Sequence, residues 1–228
     1  MDAELGLRER KKLRTRRLIA ETAARLFVER GFDAVPVAAV ARAAEVSEAT
    51  VFNYFPTKED LVYQGMEAFE SELLAAVAGR PAGESVVTAF GRFVLRPRGF
   101  LAEPSGPAAR DLIAISRMIA ASPALLTRER DILARYTRSL AALLAADTGA
   151  GPDDLRPWLV AHALIGTHQS LIELVRRRLA GHPDSQPDGH AGLAQEVVTS
   201  GREALGLLEH GLAGYGARPP AGPERPAR

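Results

Sequence analysis

The segment VAAVARAAEVSEATVFNYF, residues 37–55, decides the fold of the amino-terminal part of the chain. Its pattern predicts two short helices, from about Pro36 to Ala44 and from Glu48 to about Phe55, joined by the tight turn Glu45-Val46-Ser47. Serine is a preferred N-cap residue, and proline is tolerated in a first helical turn. This is the layout of a helix-turn-helix, whose second helix fits the major groove of DNA. The alternative is a purely structural helical corner with a wet polar face.

The second of these helices has one face for packing and one for contacts. The residues expected between the two helices are apolar: Val40, Val46, Val51 and Phe55. The residues expected to face outward are Glu48, Ala49, Thr50, Asn53 and Tyr54. Asparagine can pair with an adenine edge, and threonine offers a hydroxyl or a methyl group. Tyr54 and Lys58 stand where phosphate contacts are expected.

A basic arm precedes this segment. It consists of Arg8, Arg10, Lys11, Lys12, Arg14, Arg16 and Arg17. Glu9 is the only acidic residue among residues 8–17, although the whole chain carries a net charge of just +1. A charge run alone is usually a solvated helix face. Beside a groove-reading helix, it indicates contacts with the phosphate backbone.

Composition limits the remaining classes of function. The chain has 228 residues, of which 46% are hydrophobic and 25% charged, as in ordinary globular proteins. It contains no cysteine, which excludes disulfides and thiolate metal sites. The sequence shows neither the apolar core of a signal peptide nor an apolar run long enough for a bilayer. We therefore expect a soluble, cytoplasmic protein without a membrane partner.

The whole chain predicts an all-α fold of about nine helices. The helices before and after the central segment are expected at 14–30, 57–78, 85–95, 108–121, 124–146, 153–179 and 193–213. Thr57 and Asp60 resemble a capping box for the fourth helix, and residues 181–192 are an expected polar loop. The predicted organisation is a DNA-binding domain at 1–56, a ligand-binding and dimerisation domain at 57–214, and a disordered tail at 215–228.

The run RTRRLIAETAARLFVERGFDAVPVAAVARAAEVSEATVFNYFPTKEDLV, residues 14–62, resembles the DNA-binding domain of the tetracycline-repressor (TetR) family. The resemblance implies a helical homodimer that binds a palindromic operator and takes an inducer in its carboxy-terminal domain. It implies base or backbone contacts for Thr50, Asn53 and Tyr54, and a phosphate contact for Lys58. The full set of predicted DNA contacts is Arg14, Arg16, Val37, Glu48, Ala49, Thr50, Phe52, Asn53, Tyr54 and Lys58.

Three residues depart from the family pattern. Phe52 stands where the family often has tyrosine, which removes a hydroxyl. Glu45 stands where the turn usually has glycine, so a positive φ there would cost about 1 kcal/mol. Glu48 favours the helix dipole but repels phosphate, so it either reads a cytosine amino group or lies aside.

Beyond residue 62 the resemblance is weaker. Residues 80–99 and 117–149 are similar to a branch of the family from high-GC actinobacteria, some of whose members respond to acyl-CoA. This implies a lipophilic small-molecule inducer. The residues expected to line its pocket, with plain core as the alternative for each, are Phe90, Phe93, Met118, Tyr136, Trp158, His162 and Gln169.

The last two helices are the expected dimer interface. Their surface of small and apolar residues comprises Ala163, Gly166, Thr167, Ser170, Leu171, Leu174 and Val175, with Leu193, Val197, Leu205 and Leu208 on the last helix.

Other chemistry is not indicated. His162 and His168 are six residues apart, which does not place two metal ligands on one helix face. The sequence has no glycine-rich phosphate loop and no E-x-x-H pair. We therefore expect no metal and no cofactor. An enzyme, or a helical small-molecule-binding protein that does not bind DNA, are the alternative classes.

Overall fold

The computed structural model describes residues 6–98, 101–104, 107–181 and 187–211. These residues form nine α-helices, one 3-10 turn and no strand, so the predicted all-α fold is confirmed for them. The first five helices are α1 (Leu7–Arg30), α2 (Val37–Ala43), α3 (Glu48–Tyr54), α4 (Met66–Ala78) and α5 (Val86–Val94). The last four are α6 (Pro107–Ala121), α7 (Pro123–Thr148), α8 (Arg156–Gly181) and α9 (Pro187–His210). The predicted disordered tail, 215–228, lies outside the described residues.

Local capping signals explain where several helices begin and end. Gly31 has φ +85° and its N–H donates to Phe27 O at 2.9 Å, which ends α1. Ser47 and Ser85 are the N-caps of α3 and α5, because their hydroxyls accept the backbone N–H groups of Thr50 and Thr88 at 3.1 and 3.0 Å.

The predicted helix from Thr57 to Ala78 is wrong in its first part. The segment instead forms a 3-10 turn at Glu59–Leu61 and then breaks at Gly65, whose φ of +86° is left-handed. Helix α4 begins only at Met66. The capping box itself is present, with Thr57 N–H donating to Asp60 Oδ2 at 2.9 Å, but it caps the 3-10 turn.

Three other helix starts differ from the sequence expectation. Helix α1 begins at Leu7, so the basic arm from Arg8 onward is helical. Helix α8 begins at Arg156 rather than 153, because the Asp154 side chain accepts the Arg156 N–H at 2.9 Å before the first turn. Helix α9 begins at Pro187, inside the predicted loop 181–192, of which 182–186 lie outside the described residues.

Within the described residues, one large core extends from the amino-terminal helices into the helices that follow. We call residues 6–56 the amino-terminal unit and helices α4 to α9 the carboxy-terminal bundle. One cluster of buried side chains joins Ile19, Phe27 and Val51 in the amino-terminal unit to Tyr136 and Leu164 in the bundle. A smaller cluster lies between α8 and α9: Leu171, Leu179, Leu193 and Val197.

Helices α5 and α9 approach each other closely. A Cβ atom on Gly91 would lie 2.6 Å from Leu205 Cδ1, which explains why glycine stands in the middle of α5 despite its low helix propensity. Among the described helices, none combines the length and apolar character needed to cross a membrane.

Candidate nucleic-acid interface and ligand site

Helix α3 contributes little to the core beyond one residue. Val51 is buried, and Phe55 directly after the helix is buried as well. Glu48, Ala49, Phe52 and Asn53 are exposed, whereas Thr50 and Tyr54 are half-buried. Four of the seven residues of α3 therefore have no packing role within the chain. Their side chains are available to contact a partner.

The front of α3 is fixed by its cap. Ser47 Oγ lies 2.8 Å from Thr50 Oγ1, so the two hydroxyls share a hydrogen bond in addition to the backbone bond from Thr50. Glu48 in the first turn interacts favourably with the helix dipole. Thr50 therefore keeps its methyl group for a partner, together with either two hydroxyl lone pairs, if its O–H donates to Ser47, or its O–H and one lone pair, if it accepts from Ser47.

The turn before α3 contains a strained residue. Glu45 has φ +55°, the left-handed conformation that the sequence suggested for a position where the family often has glycine. The turn is held by Val46 N–H donating to Ala41 O at 3.0 Å and Glu45 N–H to Arg42 O at 3.2 Å. These bonds keep α2 and α3 at a fixed angle and offset the strain.

Phe52 is the unusual member of the outward face. Its side chain is 45% exposed, although it is a large apolar ring. A ring in that position cannot donate a hydrogen bond, but it can contact a thymine methyl group or a deoxyribose.

The basic arm lies along α1, and its members differ in their contacts. Arg14 is exposed, whereas the half-buried Arg16 places its guanidinium 4.9 Å from the centre of the Phe55 ring. Arg17 is paired with Glu21 at 2.7 Å, and Lys12 with Glu9 at 3.9 Å. The positive charge on this helix is thus partly compensated, and Arg14 is one of its exposed members for which no ion pair is seen within the described residues.

Lys58 makes contacts inside the protein. Its ammonium donates to Phe32 O at 2.7 Å and lies 4.2 Å from the centre of the Phe32 ring. Burial is the main cause that lowers the pKa of Lys58. The predicted phosphate contact stays a prediction, and it would use the two N–H groups that the Phe32 carbonyl leaves open.

Polar contacts connect residues 57–65, the segment between the amino-terminal unit and the bundle, with helix α7 of the bundle. Arg128 on α7 donates to Asp60 Oδ1 at 2.9 and 2.6 Å, and Asp60 is also the partner in the capping box of Thr57. Tyr63 Oη donates to Leu125 O at 2.9 Å in a buried position. A movement of α7 therefore acts on the segment that directly follows α3.

The seven predicted pocket residues do not meet in one place. Phe90, Phe93 and Tyr136 are buried in the bundle, where Tyr136 Oη donates to Met66 O at 2.7 Å. Met118 lies instead in a cleft between α1 and α6.

Trp158, His162 and Gln169 lie on the surface of the chain and not in its interior, and their contact with a ligand stays a prediction. Trp158 is 44% exposed, and His162 and Gln169 are exposed as well. Helix α8 turns the face carrying Ala161 and Leu164 toward the core, and at 100° per residue these three fall outside that face.

Phe93 and Tyr136, two of the predicted pocket residues, meet at the centre of the bundle with Phe69, His168 and Arg98, which the sequence did not place there. The Phe69 ring stacks on His168 at 5.2 Å and on Tyr136 at 5.7 Å, and meets Phe93 edge-on at 5.3 Å. Arg98 lies 4.4 Å from the centre of the Phe93 ring. No spacing rule links these residues, since they come from four helices and a loop.

His168 is unusual within this cluster. Its Nδ1 is buried and has no hydrogen-bond partner. Burial, with a smaller contribution from Arg98, lowers the pKa of His168 to about 4, so the ring is neutral at pH 7. An unpaired polar atom among aromatic rings is the kind of group that orients a ligand.

The predicted interface residues on α8 and α9 are largely internal. Leu171, Leu193, Val197 and Leu205 pack inside the chain, because α8 and α9 lie against each other. The exposed apolar side chains at this end of the bundle are instead Leu155, directly before α8, and Leu159 on α8, which are 77% and 70% exposed. Among the described residues, no group of His, Asp or Glu is arranged to hold a metal ion.

Comparison with known proteins identifies close similarity over the amino-terminal unit. The family described as "Bacterial regulatory proteins, tetR family" matches residues 19–64. The chain is 34% identical over 160 residues to the HTH-type transcriptional regulator TcmR of Streptomyces glaucescens, covering 67% of this chain and 69% of TcmR. It is 48% identical over 50 residues to the HTH-type transcriptional regulator LuxR of Vibrio harveyi, covering 22% and 24% of the two chains.

Solved structures agree with the fold. The fatty acid degradation regulator FadR of Bacillus halodurans superposes with a TM-score of 0.52 at 19% identity, covering 84% of this chain and 95% of FadR. NalD, the secondary repressor of a multidrug efflux pump in Pseudomonas aeruginosa, superposes with a TM-score of 0.50 at 20% identity, covering 82% and 96%. At these identities the similarity describes the helical architecture.

Proposed function

Because the chain belongs to the TetR family of bacterial transcriptional regulators, we propose that it is a ligand-responsive repressor that releases its operator when a small lipophilic molecule binds. The observation that carries this proposal is the outward face of α3, whose exposed residues have no packing role in the chain. The operator is palindromic in this proposal, since a symmetric dimer presents two copies of α3.

Each predicted contact has a distinct task. Thr50 and Asn53 contact base edges, with Glu48, Ala49 and Phe52 beside them on the groove face. Tyr54 and the remaining predicted contacts position the unit on the phosphates: Arg14, Arg16, Val37 and Lys58. The exposure of Asn53 and Arg14 supports these assignments.

The dimer forms in this proposal through the open faces of α8 and α9. Exposed large apolar side chains occur at Leu155 directly before α8, at Trp158 and Leu159 on α8, and at Leu207 on α9, which is the composition of an interface core. A Cβ atom on Gly166 would meet no other atom within 4 Å, so this small residue leaves room for a second helix. TetR-family regulators act as dimers, and this surface is the one on which we place the contact.

The inducer binds within the bundle, next to the aromatic cluster of Phe69, Phe93, Tyr136 and His168. Aromatic walls suit a lipophilic molecule, and His168 Nδ1 supplies one polar contact. Binding shifts α7, and Arg128 transmits the shift to Asp60 behind α3. The two half-site readers then leave the spacing of about 34–36 Å that one turn of duplex requires.

The domain boundary in this proposal falls at residue 56, between α3 and the capped 3-10 turn. The amino-terminal domain binds DNA in the cytoplasm, where the chromosome lies, and residues 57–214 bind the inducer and the second protomer. The alternative is a helical small-molecule-binding protein that does not bind DNA. The exposed polar groove face of α3 and the arm favour the repressor.

The experiment is selection of binding sites from randomised duplexes with the full chain. We expect enrichment of a palindrome whose half-sites are one helical turn, or a multiple of it, apart. A thermal-shift screen then identifies small molecules that stabilise the protein, and a gel shift on the selected duplex measures whether they release it. Failure to enrich any sequence overturns the proposal, and enrichment without release by any stabilising molecule overturns its ligand-responsive part.

A further inference from the structure

A cleft of about 550 Å³ lies between the amino-terminal unit and the bundle. One wall is formed by Phe27, Val28 and Phe32 at the end of α1, and the other by Ala114, Met118 and Ala121 on α6. The α6 residues share one helix face, since they follow the spacing i, i+4, i+7. This volume lies within the range of 300–1,000 Å³ that is usual for small-molecule sites.

The walls of the cleft are apolar, but its lining carries positive charge. Val28 is exposed although it is apolar, and Phe27 and Phe32 meet edge-on at 5.1 Å beneath it. Arg30 and Arg117 also line the cleft. Within the described part of the chain, Arg30 forms no ion pair.

The one carboxylate in the lining has its own partners. Asp33 Oδ1 accepts a hydrogen bond from Ser122 Oγ at 3.1 Å, and the Asp33 charge also interacts with Lys58. Arg30 is thus the lining charge that is left for a ligand.

We infer that this cleft is a second ligand site, separate from the aromatic cluster of the bundle, for an amphiphile with an apolar body and one anionic group. The apolar body contacts the Phe27–Phe32 wall and Met118, whose flexible side chain adapts to different shapes. The anionic group lies at Arg30, since opposite charges at the edge of an apolar site fix the orientation of a ligand.

The position of the cleft gives its ligand a direct effect. A ligand there contacts both the unit that carries α3 and helix α6 of the bundle, so it binds best to one angle between them. The ligand shifts the population of conformers according to the difference between its affinities for them. Operator affinity changes because the conformers differ in the position of α3. This consequence rests on the proposed DNA-binding function, whereas ligand binding in the cleft does not.

The test uses 8-anilinonaphthalene-1-sulfonate as the probe, because it joins an apolar ring system to one sulfonate. N-phenyl-1-naphthylamine has the same rings without the sulfonate and serves as the neutral probe. Ala114→Phe fills the cleft, and Ala120→Phe adds the same bulk on α6 at an exposed position outside the cleft. Arg30→Gln removes the charge on the exposed end of α1 and leaves the packing in place.

We expect the full-length protein to bind the sulfonate probe, with an affinity that Ala114→Phe lowers at least about tenfold and Ala120→Phe leaves unchanged. Arg30→Gln lowers the affinity for the sulfonate probe about two- to fivefold and does not change that for the neutral probe. Equal titrations for the wild type and both phenylalanine variants overturn the cleft as the site. An Arg30→Gln effect that is equal for both probes, or absent for both, overturns the anionic group.

A gel shift on the selected duplex separates this inference from the proposed function. Saturating sulfonate probe changes operator affinity about fivefold or more in the wild type and in Ala120→Phe, but not in Ala114→Phe. An Ala114→Phe response equal to that of the wild type overturns the regulatory role of the cleft. If no duplex is bound at all, the proposed function fails, and the fluorescence titration still decides whether the cleft binds its ligand.

Discussion

Helices α3 and α8 both turn one face to the core, but they expose different kinds of side chain. Apart from Phe52, the exposed residues of α3 are charged, polar or small, whereas α8 exposes Trp158 and Leu159 in its first turn. Exposed polar residues are usual on any solvent-facing helix, so on α3 it is the helix-turn-helix setting that indicates a partner. On a long helix, exposed apolar residues and buried apolar residues occur at similar sequence spacings. The sequence alone therefore does not show whether such a residue belongs to an interface, a pocket or the core.

The largest expected effect tests the open face of α8. Leu159→Glu places a carboxylate in the proposed interface, where an uncompensated charge would be buried. We expect a folded monomer that has lost about half of the specific binding free energy, roughly 2–5 kcal/mol of operator affinity. Light scattering and a gel shift measure the two outcomes.

The control for this variant is Ala142→Glu, which adds the same charge at an exposed position on α7. It is expected to stay dimeric and to bind the operator like the wild type. A Leu159→Glu protein that remains a dimer would remove this face of α8 from the interface and weaken the contrast with α3.

The second-largest expected effect concerns His168, on α8 within the aromatic cluster. The pKa of His168 is lowered to about 4, so the folded state favours the neutral ring. The stability gained from the neutral ring is present above the unfolded pKa of about 6.5 and is lost as the pH falls toward 4. We expect the unfolding free energy of the wild type to fall by about 1–3 kcal/mol more over this range than that of His168→Gln.

Urea unfolding at a series of pH values measures this difference. The comparison uses the slope with pH, so a constant loss of stability in the variant does not affect it. Parallel pH profiles for the two proteins would show that His168 does not titrate differently in the folded state.

A smaller effect belongs to the turn before α3. Glu45→Gly removes the strain of a left-handed glutamate but adds freedom to the unfolded chain. We expect a gain of about 0.5 kcal/mol in unfolding free energy and no change in operator affinity. Ala43→Gly, in the last turn of α2, is the control and should cost about 0.5–1 kcal/mol. A loss of stability in Glu45→Gly would mean that its side chain contributes more than the strain costs.

The smallest expected effect is on operator affinity and concerns the basic arm on α1. Arg14→Gln should flatten the dependence of log affinity on log salt by about 0.9 for each lost phosphate contact. Arg17→Gln is the control, because Glu21 already neutralises Arg17 in the free protein. An unchanged slope with altered sequence preference would place Arg14 on a base edge.

Several helix ends and the buried side of α3 were predictable because local signals determine them. Ser47 caps α3, Gly31 ends α1, and Val51 is buried, as the residue types and spacing indicate. The break at Gly65 was missed because the apolar pattern continues across it, and a single glycine does not reveal its φ.

The candidate ligand site was less predictable. Phe90, Phe93 and Tyr136 are buried as their types suggest, but Trp158 and His162 lie on the outside of α8. The stacking of Phe69 on His168 joins residues that are 99 positions apart in the sequence, and only the packing of the helices brings them together. Face assignment on a helix with apolar residues all round needs the tertiary structure.

The measurement that tests the central claim most directly is the affinity of Asn53→Ala for the selected operator and for a scrambled duplex at one fixed salt concentration. Asn53 is exposed, so its loss leaves the packing of Val51 and Phe55 unchanged. If α3 reads the operator through this amide, operator affinity falls by about 1–3 kcal/mol per half-site while scrambled-duplex affinity stays at the wild-type value. An equal fall on both duplexes, or no fall on either, would contradict base reading by the outward face of α3.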